Sequence, residues 1–90
     1  KADKKAAAAA REKEQELRKR LKQTEGDLAK LTKQREAVDR AMFDPSTAEG
    51  ELAKMTMTEL MKRRSDISTK VDAAEQAWLE ASEAMETIST

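Results

Sequence analysis

The stretch that decides the fold is residues 60–88, LMKRRSDISTKVDAAEQAWLEASEAMETI. Residues spaced alternately four and three apart form one stripe, the heptad period that keeps a helix against a partner. The stripe consists of Leu60, Arg64, Ile67, Val71, Ala74, Trp78, Ala81, Met85 and Ile88. An equivalent stripe earlier in the chain consists of Leu17, Leu21, Thr24, Leu28, Leu31, Arg35, Val38 and Met42. The only Pro of the chain and one of its two Gly lie between the stripes, so the sequence predicts an all-α fold, a two-helix antiparallel coiled-coil hairpin.

The chain divides into four parts on this pattern. We expect a helical lead-in over residues 1–13, a first helix over 14–42, a tip over 43–57 and a second helix over 58–89. The lead-in has five consecutive Ala and no apolar stripe, so it is either a frayed helix or a semi-rigid linker from an upstream domain. The chain starts with Lys in a helix-favouring run, and we expect it to be a piece of a longer protein.

The register of the two stripes can be predicted because facing residue numbers in an antiparallel pair have a constant sum. A sum of 102 matches both stripes along their length and sets Trp78 against Thr24 and Arg64 against Val38. A slip of one heptad would set Arg64 against Leu31. Complementary sizes, such as Trp opposite Thr, favour the first register because cores pack at high density.

The tip carries turn and capping signals. Asp44 followed by Pro45 predicts a capped short turn that Gly50 ends, and Thr56 with Glu59 predicts the capping box of the second helix. The residues expected to cover the end of the stripes are Phe43, Leu52, Met55 and Met57.

Arg35 and Arg64 are charged residues within the stripes. Their side chains can lie along the core with the charged head in solvent, where they specify register or contact an anionic partner. Trp78 is interpreted as a core residue rather than a stacking platform, because it lies on the stripe.

Composition excludes several classes of function. The chain has no Cys and no His, and 40% of its residues are charged, which leaves no thiolate metal site and no globular core. No run approaches the roughly 20 apolar residues of a membrane span, no signal peptide is visible, and a cytoplasmic location fits. No Gly-rich phosphate loop or convergent catalytic group is present, so we expect no enzymatic activity, catalytic residue, cofactor or metal within these residues.

Charge is unevenly distributed although the net charge is zero. Residues 1–42 hold thirteen Lys/Arg and eight Asp/Glu, whereas residues 43–90 hold five and ten. Five basic residues follow the predicted outer face of the first helix: Lys19, Lys22, Lys30, Lys33 and Arg40. Arg18 and Arg20 flank them. This row is either a solvated face, which any coiled coil needs, or a surface that follows a phosphate backbone.

Four segments resemble the C-terminal domain of ABC-F proteins, the Uup and YheS-like soluble ATPases. They are KKAAAAARE (4–12), LRKRLKQTEGDLAKLTKQREAVDRAM (17–42), FDPSTAEGEL (43–52) and AAEQAWLEASEAME (73–86). The resemblance implies a cytoplasmic bacterial protein whose two upstream cassettes bind ATP and magnesium. It also implies an association with the ribosome, or with DNA as for the Uup tail. The Walker and signature motifs are absent from the 90 residues, so nucleotide binding is assigned to no residue of this chain.

Three functions remain open at this point. The first is an accessory arm, monomeric, that contacts DNA or ribosomal RNA weakly through the basic row. The second is a coiled-coil spacer or protein–protein surface. The third is a regulator that docks on the ATP-binding cassettes of the same chain. The sequence does not choose between DNA and ribosomal RNA.

Overall fold

The computed structural model describes residues 2–89, with the side chains of residues 4–88. Helix α1 spans Ala2–Phe43 and helix α2 spans Met57–Ser89, and two 3₁₀ turns, Pro45–Thr47 and Gly50–Lys54, connect them. The described residues contain no strand. The predicted all-α helical hairpin is confirmed, and it forms a rod of 66 × 18 × 16 Å.

The observed helix ends differ slightly from the predicted ones. Phe43 belongs to α1 and Met57 to α2, and the lead-in is continuous with α1 from Ala2 onward. Lys1 of the lead-in and Thr90 lie outside the described residues. The assignment of the lead-in as a linker from an upstream domain stays a prediction.

The core is the seam between the helices, and it is best buried toward the tip. The buried apolar residues are Val38, Ala41, Leu60, Ile67, Val71 and Ala81. Further from the tip, Thr24 is also buried, and its hydroxyl donates to the carbonyl of Leu21 at 3.0 Å. Since that local bond satisfies the hydroxyl, a polar residue can occupy the seam without an unpaired buried group.

Two contacts between the helices agree with the predicted register. The indole Nε1 of Trp78 donates to Glu25 Oε1 at 3.2 Å, which places Trp78 beside the neighbour of Thr24. Arg64 Nε donates to Asp39, the neighbour of Val38. Both pairs lie one residue from the predicted layers and eight residues from the slipped register, so the slipped register is wrong.

Arg64 has its charged head in solvent, as predicted for an arginine on the stripe. Its side chain is exposed and pairs with Asp39, whereas Val38, its predicted facing residue, is only 1% exposed in a cluster with Leu60 and Ile67. A guanidinium loses hydration in an apolar seam, and a carboxylate on the same side of the hairpin offers it a partner in solvent. Arg35, the other predicted seam arginine, is half-buried.

The first turn of the tip forms as predicted, but Gly50 does not end it. Asp44 caps the turn, accepting from the backbone N–H of Ser46 at 3.1 Å, and Pro45 is its first residue. Ala48 ends that turn, and Gly50 begins the second one with a φ of +59°. A side chain is strained at this φ, so the glycine reverses the chain between two turns rather than closing one.

The capping box at the start of α2 is confirmed. The backbone N–H of Thr56 donates to Glu59 Oε1 at 3.0 Å, and the N–H of Glu59 donates to Thr56 Oγ1 at 3.2 Å. The reciprocal bonds satisfy donors that the first helical turn would leave unpaired.

Only half of the predicted cover over the seam end forms. Leu52 and Met55 pack against the buried cluster as expected, but Phe43 is 93% exposed and Met57 is 47% exposed. Met42 occupies the seam position, and the next residue on a helix is turned by about 100°. Phe43 therefore lies outside the seam, and the second 3₁₀ turn covers the end of the seam instead.

Candidate nucleic-acid interface

The basic row of α1 lies on the face opposite the seam. All five members are exposed: Lys19, Lys22, Lys30, Lys33 and Arg40. At about 3.6 residues per turn they fall within an arc of about 80°, and at about 1.5 Å per residue they extend over about 31 Å. We call these five residues the ridge. They form an elongated basic surface directed away from α2.

The ridge residues are available to a partner. Among the described side chains, the three ion pairs join Arg18 to Glu14, Arg63 to Glu51 and Arg64 to Asp39. No ridge residue belongs to any of these pairs. The ridge cations therefore need lose no ion pair of the described residues to bind a phosphate.

A gap divides the ridge into two groups at Gly26. This exposed glycine lies between Lys22 and Lys30, and a Cβ placed on it would meet no atom within 4 Å. Ala29, beside it on the helix surface, is also small. The gap leaves the helix backbone more accessible in the middle of the ridge than at either end.

Arg18 and Arg20, the other two predicted contact residues, do not lie on the ridge. Both are exposed. They lie on opposite flanks of α1, because side chains two positions apart on a helix point in directions about 200° apart around its axis. Arg18 forms an ion pair with Glu14 at 2.6 Å. Arg20 lines a shallow depression together with Asp27 and Glu80. Acidic neighbours thus partly offset the charge of both arginines.

Two carboxylates interrupt the ridge itself. Glu16 lies one turn before Lys19, and Glu36 lies one turn from both Lys33 and Arg40; both are exposed. Exposed pairs of this kind contribute little energy, about 0–1 kcal/mol, and salt screens them. The ridge keeps an excess of positive charge, but a moderate one.

The outer surface of α2 has the opposite charge. From residue 71 to residue 88 it contains no Lys or Arg, and five acidic residues there are exposed: Asp72, Glu75, Glu80, Glu83 and Glu86. Because α2 lies across the seam from the ridge, the hairpin is polarised across its width in the half away from the tip, whereas residues 57–70 of α2 carry Lys62, Arg63, Arg64 and Lys70. A phosphate backbone is attracted to the α1 side and repelled from the α2 side.

An exposed apolar patch lies at the tip and includes two residues that were predicted to cover the end of the seam, Phe43 and Met57. It consists of Phe43, Met57 and Met61, and Met61 is 57% exposed. Phe43 follows Asp39 by one helical turn, and Met61 precedes Arg64 by one turn. Since Asp39 and Arg64 are hydrogen-bonded, Phe43 and Met61 lie on the same side of the hairpin, one turn nearer the tip. Extending the predicted first helix by one residue past Met42 would have placed Phe43 outside the seam and so indicated an exposed patch.

The described residues present no cluster of metal-ligating side chains. No group of three or more Asp or Glu among them could hold a metal ion, and the chain has no His or Cys. An open groove near the tip is lined by Val38, Leu52 and Ile67 with Arg63, Asp66 and Lys70 among its rim. It is a surface groove where the seam meets the second 3₁₀ turn. Neither helix, over the described residues, combines the length and apolar character that a bilayer crossing requires.

Comparison with protein-family profiles, with curated proteins and with solved structures found no match for this chain.

Proposed function

We propose that the hairpin is a non-catalytic accessory arm that contacts nucleic acid, DNA or ribosomal RNA, through the outer face of α1. One observation carries this proposal: five exposed cations share one arc of α1 over about 31 Å, opposite the seam and outside every ion pair of the described residues. A lysine or arginine row of this length can follow successive phosphates along a strand or across a groove. Arg18 and Arg20 contribute from the flanks.

The contact fixes position rather than sequence. Lys and Arg heads on a phosphate backbone carry no base information. The acidic surface of α2 allows only one side of the hairpin to approach. The affinity expected for such a contact is that of a non-specific binder, a Kd of about 10⁻⁴–10⁻⁶ M at physiological salt.

The wider setting of the arm is proposed from the resemblance of its segments to ABC-F proteins. In that setting the hairpin follows two cytoplasmic cassettes that bind ATP and magnesium, and the ribosome or DNA is its partner. The hairpin itself then supplies a monomeric, rigid extension of about 66 Å between the cassettes and the nucleic acid.

A second candidate function is supported by the charge balance. The chain is neutral overall, and the basic and acidic sides leave little net field beyond a Debye length of about 8 Å. The hairpin then serves as a coiled-coil spacer, or docks as a regulator on the cassettes. Salt separates the two functions, because phosphate binding weakens steeply with salt and apolar association does not.

The test is a titration of fluorescein-labelled duplex DNA and of a ribosomal RNA segment with the 90-residue chain, read by anisotropy at several salt concentrations. We expect log Kd to rise linearly with log salt. Lys33→Ala should weaken binding to both nucleic acids and reduce the slope by about 1. Lys62→Ala is the matched control, because it removes an exposed lysine from the back of α2, and it should change the slope little. Equal effects of the two variants, or no binding at low salt, would overturn the proposal.

A further inference from the structure

Phe43 is the most exposed large apolar residue of the hairpin, at 93%. Aromatic rings usually bury about 150–250 Å² in cores and interfaces. The end of the seam has no place for this ring, because Leu52 and Met55 already pack there against the buried cluster. The ring is therefore exposed to solvent, and the packing of the seam does not account for an aromatic residue at this position.

The ring stands at the tip end of the ridge. Phe43 follows Arg40, the last ridge residue, by three positions, and side chains spaced in this way are neighbours on a helix surface, with Cβ atoms about 5–6 Å apart. On its other side lies Met61, placed there by the hydrogen bond between Asp39 and Arg64 one turn away. An aromatic face thus continues a line of phosphate-binding cations.

We propose that Phe43 stacks on an unpaired base of the nucleic acid whose phosphates lie on the ridge. The inference rests on the proposed function and names its substrate class: a strand with unpaired bases, or a junction between paired and unpaired segments, rather than a closed duplex. Bases inside a duplex stack on one another and offer no free face, whereas bases of single strands, loops and ends stack on aromatic side chains.

The size of the patch argues against a second copy of the chain as the occupant. Phe43 supplies at most about 150–250 Å², and Met57 and Met61 are each only about half exposed. A specific protein interface buries about 800 Å² on each partner. Three side chains fall short of that area, but one base face needs no more than the ring itself. Arg40 beside the ring provides the charge that an adjoining phosphate requires.

The test compares two labelled probes of equal length, a closed duplex and the same duplex with a short unpaired overhang. The 90-residue chain should bind the overhang probe roughly 5- to 150-fold more tightly, the factor that corresponds to one stacked base. Phe43→Leu keeps an apolar side chain at an exposed position, so the fold should be retained, as circular dichroism can verify. It should bind both probes with the affinity of the unaltered chain for the duplex. Phe43→Trp should keep the preference.

Lys33→Ala separates this inference from the proposed function. It should weaken binding to both probes by the same factor and leave the preference for the overhang intact. If both probes bind alike and Phe43→Leu changes neither, the stacking inference is wrong and the ridge stands. If neither probe binds at low salt, the proposed function fails and the inference fails with it. Self-association of the chain in sedimentation that Phe43→Leu abolishes would assign the patch to a protein contact and overturn the inference.

Discussion

The outer faces of α1 and α2 carry opposite charge although both helices contribute to the same seam. On α1 five exposed cations lie opposite the seam, and on α2 the stretch after Lys70 exposes acidic residues and no basic ones. The seam needs only its apolar stripe and small flanking residues such as Ala41, which is 1% exposed. The fold therefore leaves both outer faces free to vary, and the difference between them points to function rather than to stability.

The largest expected effect separates the seam from the outer face of α1. Leu28→Ala removes a residue packed against the buried cluster and should lower the free energy of unfolding by about 2–5 kcal/mol, through lost burial and a cavity. Lys33→Ala, on the ridge, should change it by less than about 0.5 kcal/mol. Urea denaturation followed by circular dichroism measures both. Similar losses for the two variants would mean that the ridge takes part in the fold.

Next in size is a contrast between the two glycines. Gly50 has a φ of +59°, so Gly50→Ala should destabilise the tip by about 1–2 kcal/mol, the cost of a side chain in the left-handed region. Gly26 lies inside α1 with open space around it, so Gly26→Ala should stabilise by up to about 1 kcal/mol.

Thermal melts of the two alanine variants would show shifts of opposite sign. A lower melting temperature for Gly26→Ala would contradict the assignment of Gly26 to an unstrained outer position, and a higher one for Gly50→Ala would contradict the strain expected at Gly50. The Gly26→Ala variant also fills the gap in the ridge without changing its charge, which makes it a useful second probe in the binding titrations.

The sequence predicted the features that periodicity and local chemistry determine. The heptad stripes placed both helices and their register, and Asp44, Pro45, Thr56 and Glu59 placed the caps, because these bonds join residues no more than three positions apart.

The errors lie where the periodicity ends. Four apolar residues could have covered the seam end, and the pattern does not say which; the second 3₁₀ turn brought Leu52 and Met55 rather than Phe43. The stripe predicted the guanidinium of Arg64 in solvent, and the structure added Asp39 as its partner. For the ridge, the pattern predicted exposure, and the structure added that Arg18 is engaged by Glu14.

The smallest expected effect concerns the start of α2. Hydrogen bonds from Thr56, first from its backbone N–H and then from its side chain, hold the pKa of Glu59 below its ordinary value. The ionised carboxylate is thus favoured in the folded hairpin. This contribution to stability is present above the ordinary pKa of a glutamate and is lost as pH falls through the lower, folded pKa.

The melting temperature should therefore fall less on acidification in Glu59→Gln than in the unaltered chain. Gln keeps the side-chain bond of the capping box but does not titrate. The comparison is made between pH 7 and about pH 3, below the unperturbed glutamate pKa of about 4.3. Parallel curves for the two proteins would show that the capping box does not depend on ionised Glu59.

The central claim, that the ridge is the nucleic-acid surface, is tested most directly by backbone amide chemical shifts. The chain is titrated with duplex DNA and with a ribosomal RNA segment, at low and at moderate salt. We predict shifts concentrated on residues 15–40 of α1, fading as salt rises. The absence of shifts at low salt, or shifts along residues 72–86 of α2 instead, would contradict the claim and favour the spacer function.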